Sequence, residues 1–466
     1  MELFGTAGIR GSAEERVTPE LALAVGRAVG ADAVGNASDA DAVGNPSDAD
    51  ATPVVVARDG RTTGPALAAA VEAGVASAGA DVKRAGMLPT PALAYASQGR
   101  RGVMLTASHN PPADNGIKVF VDGEEYDRDL ERGIESRVAG EQSPVAWDRW
   151  GGSADGEIVK EYRSAVVEYA QAHGAHADGL DVVVDCGNGM GALGTPLVLR
   201  ELGARVVTLN SQVDGHFPGR ESKPTPESLA DLRSVVADGS FDLGIGHDGD
   251  ADRIVIVDGD GDVVHEDTVV AILAAHFTRV ADAADPVVVT TPNASGRIDE
   301  RIRAAGGRVE RIRLGALHEG IAAARAAGGD VVFAAEPWKH IHPSHGGWID
   351  GAASAAVFLR LVARDGLDGL RDPVTERPYR KVSVECPDEA KRDAMARLEA
   401  TLPESFPEAD VDTEYGVRLE FPDASWTLVR PSGTEPYVRV YAEADEVDVL
   451  VDEVTEVVER AVTDAS

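Results

Sequence analysis

A chain of 466 residues is too long for one ordinary domain, and a hydrophobic content of 43% supplies several cores and excludes a disordered protein. It carries 79 acidic against 44 basic side chains, a net charge of −35 with only seven lysines, which sets it against nucleic acid and anionic membranes as partners. No apolar run approaches the roughly 18 residues of a membrane span, no signal-like stretch follows Met1, and Cys186 and Cys386 make no disulfide framework, so a cytoplasmic protein is expected.

In chain order, residues 19–31 show helical periodicity and 53–57 a buried strand. Between them stands a near-duplication, Asp32–Ala40 followed by Asp41–Ala49, read as an acidic loop expansion because two copies cannot form a solenoid. Short apolar strands then alternate with Ala-rich helices. Strands are expected at 103–106, 117–121, 181–185, 205–209, 242–246, 254–257, 287–290 and 331–335, with helices at 65–79, 192–203, 227–238, 267–281 and 317–327. That alternation predicts an α/β protein with open, mostly parallel sheets, whose ligands bind at the carboxyl ends of strands. From about 372 the pattern becomes α+β, with strands near 381–385, 414–420, 426–430 and 437–443 and helices near 388–401 and 445–463. The expected domains are 1–150, 151–255, 256–371 and 372–466.

Four motifs carry chemistry. Thr106-Ala107-Ser108-His109-Asn110-Pro111 follows a strand and is halted by prolines, which leaves Ser108 on a loop. It lacks the G-x-S-x-G of an acyl-transfer serine, and an N-cap role is the simple alternative. Lys118 adds a cation at the head of the next strand. Asp248, Asp250 and Asp252 alternate on a glycine-containing turn and can converge on a hard cation such as Mg²⁺. An EF-hand is excluded by Arg253 where glycine is needed and by Gly259 where the bidentate Glu is needed. The nearby Asp258–Asp262 run reads as a hairpin turn. Glu336-Pro337-Trp338-Lys339-His340 ends another strand. Its Glu336 suits vicinal sugar hydroxyls, whereas His340, His342 and His345 lack the supporting ligands of a zinc site. Arg430-Pro431-Ser432-Gly433-Thr434-Glu435-Pro436 offers a guanidinium, hydroxyls and open backbone to a phosphate dianion, with Arg439 as a second cation.

These motifs, in this order, resemble the alpha-D-phosphohexomutases. Phe4-Gly5-Thr6-Ala7-Gly8-Ile9-Arg10-Gly11, Arg58-Asp59-Gly60-Arg61, Leu88-Pro89-Thr90-Pro91-Ala92 and Asp185-Cys186-Gly187-Asn188-Gly189 extend the resemblance over nearly the whole chain, as does Asp214-Gly215-His216-Phe217-Pro218 with Pro224-Thr225-Pro226-Glu227. The resemblance implies three similar mixed-sheet α/β domains and a C-terminal α+β domain around a central cleft. It implies a phosphorylated Ser108 that shares one Mg²⁺ with Asp248, Asp250 and Asp252, while Arg10, His109 and Lys118 handle protons and charge. Arg253, Glu336 and His340 would meet the substrate, and Arg430, Ser432, Gly433 and Thr434 would hold its non-reacting phosphate. The reaction implied interconverts a hexose 6-phosphate and 1-phosphate through a bisphosphate, with hexose 1,6-bisphosphate as activator, in a monomer or homodimer. Glucosamine phosphate is the first substrate expected; mannose, glucose or a pentose phosphate, or a phosphosugar-binding protein without turnover, are the alternatives. Two departures bear on the choice: Ala7 stands where many members have an acid, and Trp338 and Lys339 replace a Ser-Gly pair.

Overall fold

The computed structural model describes residues 3–5, 8–40, 52–140, 142–432 and 435–465, with the side chains of 36–40 left aside. The chain divides into two compact units, Met1–Glu266 with Trp338–Asp368, and Asp267–Pro337 with Gly369–Ser466.

The first unit holds two mixed sheets. In the first, Val54–Arg58 lies between Val82–Met87 and Arg101–Leu105, parallel to both, and Ser153–Asp155 extends the Val82–Met87 edge. Beyond Arg101–Leu105 the chain reverses, so that Asp114–Val121 runs antiparallel to it and to Ile9–Ser12. Val54–Arg58 is apolar on both faces because both faces are covered. One cover is the helix pair Pro19–Ala40 and Gly64–Ser77, whose backbones approach so closely that a Cβ at Gly30 would stand 2.8 Å from Val75 O. The second sheet runs Val255–Asp258, Leu243–Gly246, Asp181–Asp185, Arg205–Leu209. Val255–Asp258 pairs antiparallel with Leu243–Gly246, so it closes this sheet, although the expected break at 255/256 set most of it with the strands that follow. The Asp258–Asp262 turn is tight, as expected, with Asp258 N donating to Asp262 O at 2.9 Å.

Two further expectations change. The first copy of the duplication is not loop but the last turns of Pro19–Ala40, because Asp32 is a buried anchor there: it accepts from Arg101 Nε at 2.7 Å and from Tyr126 OH at 3.0 Å. The second copy lies outside the described residues. Gly351–Asp365, a helix absent from the expected set, is buried along most of its length and packs on Val159–Gln171 and Thr195–Glu201.

In the second unit Pro286–Thr290 is parallel to Arg308–Arg311 and Asp330–Glu336, and a five-stranded antiparallel sheet follows in the order Tyr379–Glu385, Tyr437–Glu443, Trp426–Pro431, Val417–Glu420, Asp410–Asp412. The helices Lys391–Ser405 and Val447–Ala465 cover one face of that sheet and bury Leu398, Leu402, Val454 and Val458 against Val417, Leu419 and Val440.

Candidate active site

Ser108 sits where Arg101–Leu105 gives way to the reversing loop, in the left-handed region at φ 53°. For a residue with a Cβ that conformation is strained and persists only when its surroundings hold it. Its backbone N donates to Thr106 Oγ1 at 2.9 Å, and its Oγ donates to Asp248 Oδ2 at 2.7 Å. The aspartates arrive from the carboxyl end of Leu243–Gly246, on a loop with Ala251 also left-handed at φ 60°. Gly249 is what lets the two loops meet: a Cβ there would stand 2.6 Å from Ser108 O.

Asp248, Asp250 and Asp252 are buried, with one oxygen from each within 4.8 Å of the others. Thr90 Oγ1 donates to Asp250 Oδ2 at 2.7 Å. Asp250 Oδ1 and Asp252 Oδ1 are buried without a hydrogen-bond partner. Three converging carboxylates with buried, unsatisfied oxygens form a hard-donor set that fits a divalent cation. Burial and the neighbouring Asp252 and Asp250 push Asp248 far above the usual carboxylate range. Burial acts the same way on Asp252, but Lys118, Arg253 and Lys339 outweigh it and hold that group low.

Lys118 Nζ lies 3.1 Å from Asp252 Oδ2, 3.3 Å from Glu125 Oε1 and 3.7 Å from Asp250 Oδ2. Burial pulls its pKa down, yet these carboxylates prevail and keep it cationic. Arg253 Nε stands 3.7 Å from Asp248 Oδ2 and 3.8 Å from Asp252 Oδ1. Arg10 reaches the same neighbourhood through the pairing of Ile9–Ser12 with Asp114–Val121. His109 Nδ1 is 3.4 Å from Ser108 Oγ. Burial, then Arg253 and Arg10, lower His109 to about 3, so its ring is neutral near pH 7. The structure thus brings Ser108, His109, Lys118, Arg10, Arg253 and the three aspartates together.

The sugar loop divides. Lys339 pairs with Arg253 beside the aspartates, and Trp338 O accepts from Ile254 N at 3.1 Å. Trp338 itself is left-handed at φ 66° and packs against the core around Val183 and Leu229. The His340 ring, expected on the substrate, is 1% exposed, with Nδ1 3.0 Å from Ser354 Oγ, and burial lowers it to about 3. In the second unit, the Glu336 carboxylate accepts from Gly315 N. There Arg430 Nη2 donates to Tyr441 OH at 2.8 Å, and Ser432 is buried. Gly433 and Thr434 lie outside the described residues. Lys391, which the sequence reading missed, donates to Ser432 O at 2.7 Å and Glu435 O at 2.6 Å. Thr90, Glu125 and Arg61 were missed as well. Thr90 and Arg61 stand in motifs that carry the resemblance, but a linear motif does not show the buried partner that gives each its place.

A serine facing buried carboxylates that suit a divalent ion, ringed by lysine and arginine, equips a phosphoryl-transfer enzyme. Residues 1–144 match the phosphoglucomutase/phosphomannomutase alpha/beta/alpha domain I, 160–261 its domain II, and 382–460 its C-terminal domain. A phosphopentomutase of Thermococcus kodakarensis is 41% identical over 95% of this chain and 94% of its own. A probable phosphoglucosamine mutase of Methanopyrus kandleri is 41% identical over 98% of each. The crystal structure of a phosphoglucomutase/phosphomannomutase family protein from Burkholderia thailandensis covers 100% of this chain and 97% of that one, at 26% identity and a TM-score of 0.82. The chain is a phosphosugar mutase, an isomerase; it belongs to the phosphoglucomutase/phosphomannomutase family of the alpha-D-phosphohexomutase superfamily.

Proposed function

We propose that the enzyme carries a phosphoryl group on Ser108 and interconverts glucosamine 6-phosphate and glucosamine 1-phosphate. The observation that carries the serine mechanism is the 2.7 Å contact of Ser108 Oγ with a buried carboxylate cluster faced by Lys118. The P–O bond to Ser108 Oγ breaks as one forms to the sugar hydroxyl, and the hydroxyl proton passes to a base, a role assigned to the neutral His109 ring because its Nδ1 lies 3.4 Å from Ser108 Oγ. Reversal with the sugar turned end for end returns the other phosphoryl group to Ser108, with hexose 1,6-bisphosphate as the priming species. Lys118 and Arg253 stabilise the charge on the transferring oxygens. Mg²⁺ held by Asp248, Asp250, Asp252 and the phosphorylated Ser108 would act there as a Lewis acid. Glu336 would take the sugar hydroxyls, and Arg430 with Ser432, Gly433 and Thr434 the resting phosphate. A cytoplasmic setting fits phosphorylated sugars as substrates.

The opening Phe4–Gly11 text and the relative from Methanopyrus kandleri favour glucosamine phosphate. A second reading, a phosphopentose, rests on Trp338 and Lys339 standing in place of a Ser-Gly pair in the sugar loop and on the relative from Thermococcus kodakarensis. Turnover on glucosamine, mannose, glucose and ribose phosphates, with Mg²⁺ and a trace of bisphosphate in high KCl, decides between them. The glucosamine reading expects that sugar to lead by at least about tenfold in kcat/KM, a difference of about 1.4 kcal/mol. A lead by ribose phosphate replaces it with the second reading. Asp250→Asn should raise the Mg²⁺ concentration required, and an unchanged requirement would remove Asp250 from the metal site.

A further inference from the structure

The Arg61 side chain makes five hydrogen bonds and none of them goes to solvent. Its side chain is fully buried. Nε donates to Asp59 Oδ2 at 3.1 Å, Nη1 to Pro111 O at 2.6 Å and Asp114 O at 2.9 Å, and Nη2 to Ser108 O at 3.0 Å and Asn110 O at 2.8 Å. A guanidinium has five N–H donors in a fixed fork, and here each has its own acceptor. Four of the five acceptors are carbonyls of the loop that presents Ser108.

The other side of that loop is held by the same pair. Asp59 Oδ2 accepts from Thr106 Oγ1 at 2.8 Å, and Thr106 Oγ1 accepts from Ser108 N at 2.9 Å. The amide and carbonyl of the strained Ser108 are therefore both tied to one buried ion pair. Phe217 lies under the Arg61 guanidinium, its ring centroid 5.1 Å from Arg61 Cζ, and would be 3.4 Å from a Cβ at Gly249. The ring thus stands between this brace and the aspartate loop.

We infer that Arg61, with Asp59 and Thr106, is the positioning system that holds Ser108 in its left-handed conformation at the distance the aspartate loop requires. Arg61 touches no reacting atom. It acts by fixing where Ser108 Oγ points, and a displacement of about 1 Å at a reacting group costs on the order of 100-fold in rate. The proposal rests on Ser108 being the transfer group.

Arg61→Lys keeps the charge opposite Asp59 but has three donors from one point and cannot span four carbonyls. A positioning role predicts a folded variant whose kcat falls by about 100-fold while KM stays within about threefold, because substrate contacts are untouched. A purely structural role predicts a lower melting temperature with kcat per folded molecule unchanged, and that outcome overturns the proposal. Should Arg61→Lys fail to fold, Thr106→Val decides by the same split, since it leaves the guanidinium in place and removes the hydroxyl that links Ser108 N to Asp59. Ser108→Ala belongs beside both. If it stays active, the phosphoserine reading itself fails. If it is inactive while Arg61→Lys turns over normally, only the positioning role fails.

Discussion

At the scale of single residues, histidine carries the clearest pH signature. His340 is fully buried on Ser354, and burial lowers it to about 3, well under the ordinary 6.5. The folded state therefore binds fewer protons than the unfolded chain between about 3 and 6.5, so stability is full above that window and is lost as pH falls through it. One such group contributes about 1 kcal/mol of destabilisation between pH 7 and about pH 5.5. Urea unfolding of wild type and His340→Gln at those two pH values tests this directly. The variant should lose about 1 kcal/mol less than wild type over the interval. An identical loss in both proteins would mean that His340 does not titrate as a buried neutral ring. The family resemblance marked His340 for the substrate; only the packing of the Gly351–Asp365 helix shows that its ring faces Ser354.

At the scale of elements, the same helix explains what the sequence showed and what it hid. The strands at 181–185, 205–209 and 437–443 were legible because each is an apolar or alternating run with a turn beyond it. Ser108 and the aspartates were legible because motif spacing is local, and both loops do follow strand ends. Gly351–Asp365 was not, since a helix buried nearly all round has no polar stripe to mark its period. The pairing of Val255–Asp258 was hidden for a similar reason, because an apolar strand does not announce its neighbour. The helix also has a place in the site. Asp350 caps it, accepting from Ala353 N at 2.8 Å, Tyr162 OH at 2.8 Å and Trp348 Nε1 at 3.0 Å. A Cβ at Gly351 would stand 2.7 Å from Arg253 O and 2.9 Å from Ala251 O, so the helix start lies directly on the aspartate loop. Gly351→Ala must push that loop or the helix aside, at a cost of about 1–3 kcal/mol. Its Mg²⁺ requirement should rise with the fall in stability. A stable Gly351→Ala protein with wild-type Mg²⁺ dependence would show that the loop has room to give.

At the scale of the whole molecule, charge decides the conditions under which these contacts persist. A net charge of −35 on 466 residues repels itself, and that repulsion opposes every compact arrangement described above. The basic residues are few and several are spent at the site: of the seven lysines, Lys118 and Lys339 both act on Asp252. The 44 basic side chains leave the 79 acidic ones far from neutralised. Screening must then come from salt, because the Debye length shrinks from about 10 Å at 0.1 M to about 3 Å at 1 M. The buried Lys118–Asp252 and Arg61–Asp59 contacts are screened far less than the exposed acids, so added salt should relieve repulsion without undoing the site. Raising KCl from about 0.2 M to about 2 M is expected to lift the thermal midpoint by roughly 10 °C. Choline chloride at equal ionic strength separates screening from the preferential exclusion of particular ions. If the two chlorides stabilise alike, self-repulsion is the term being relieved. If only strongly excluded salts such as sulfate do so, hydrophobic burial is what salt strengthens, and the acidic surface is not the limit on stability.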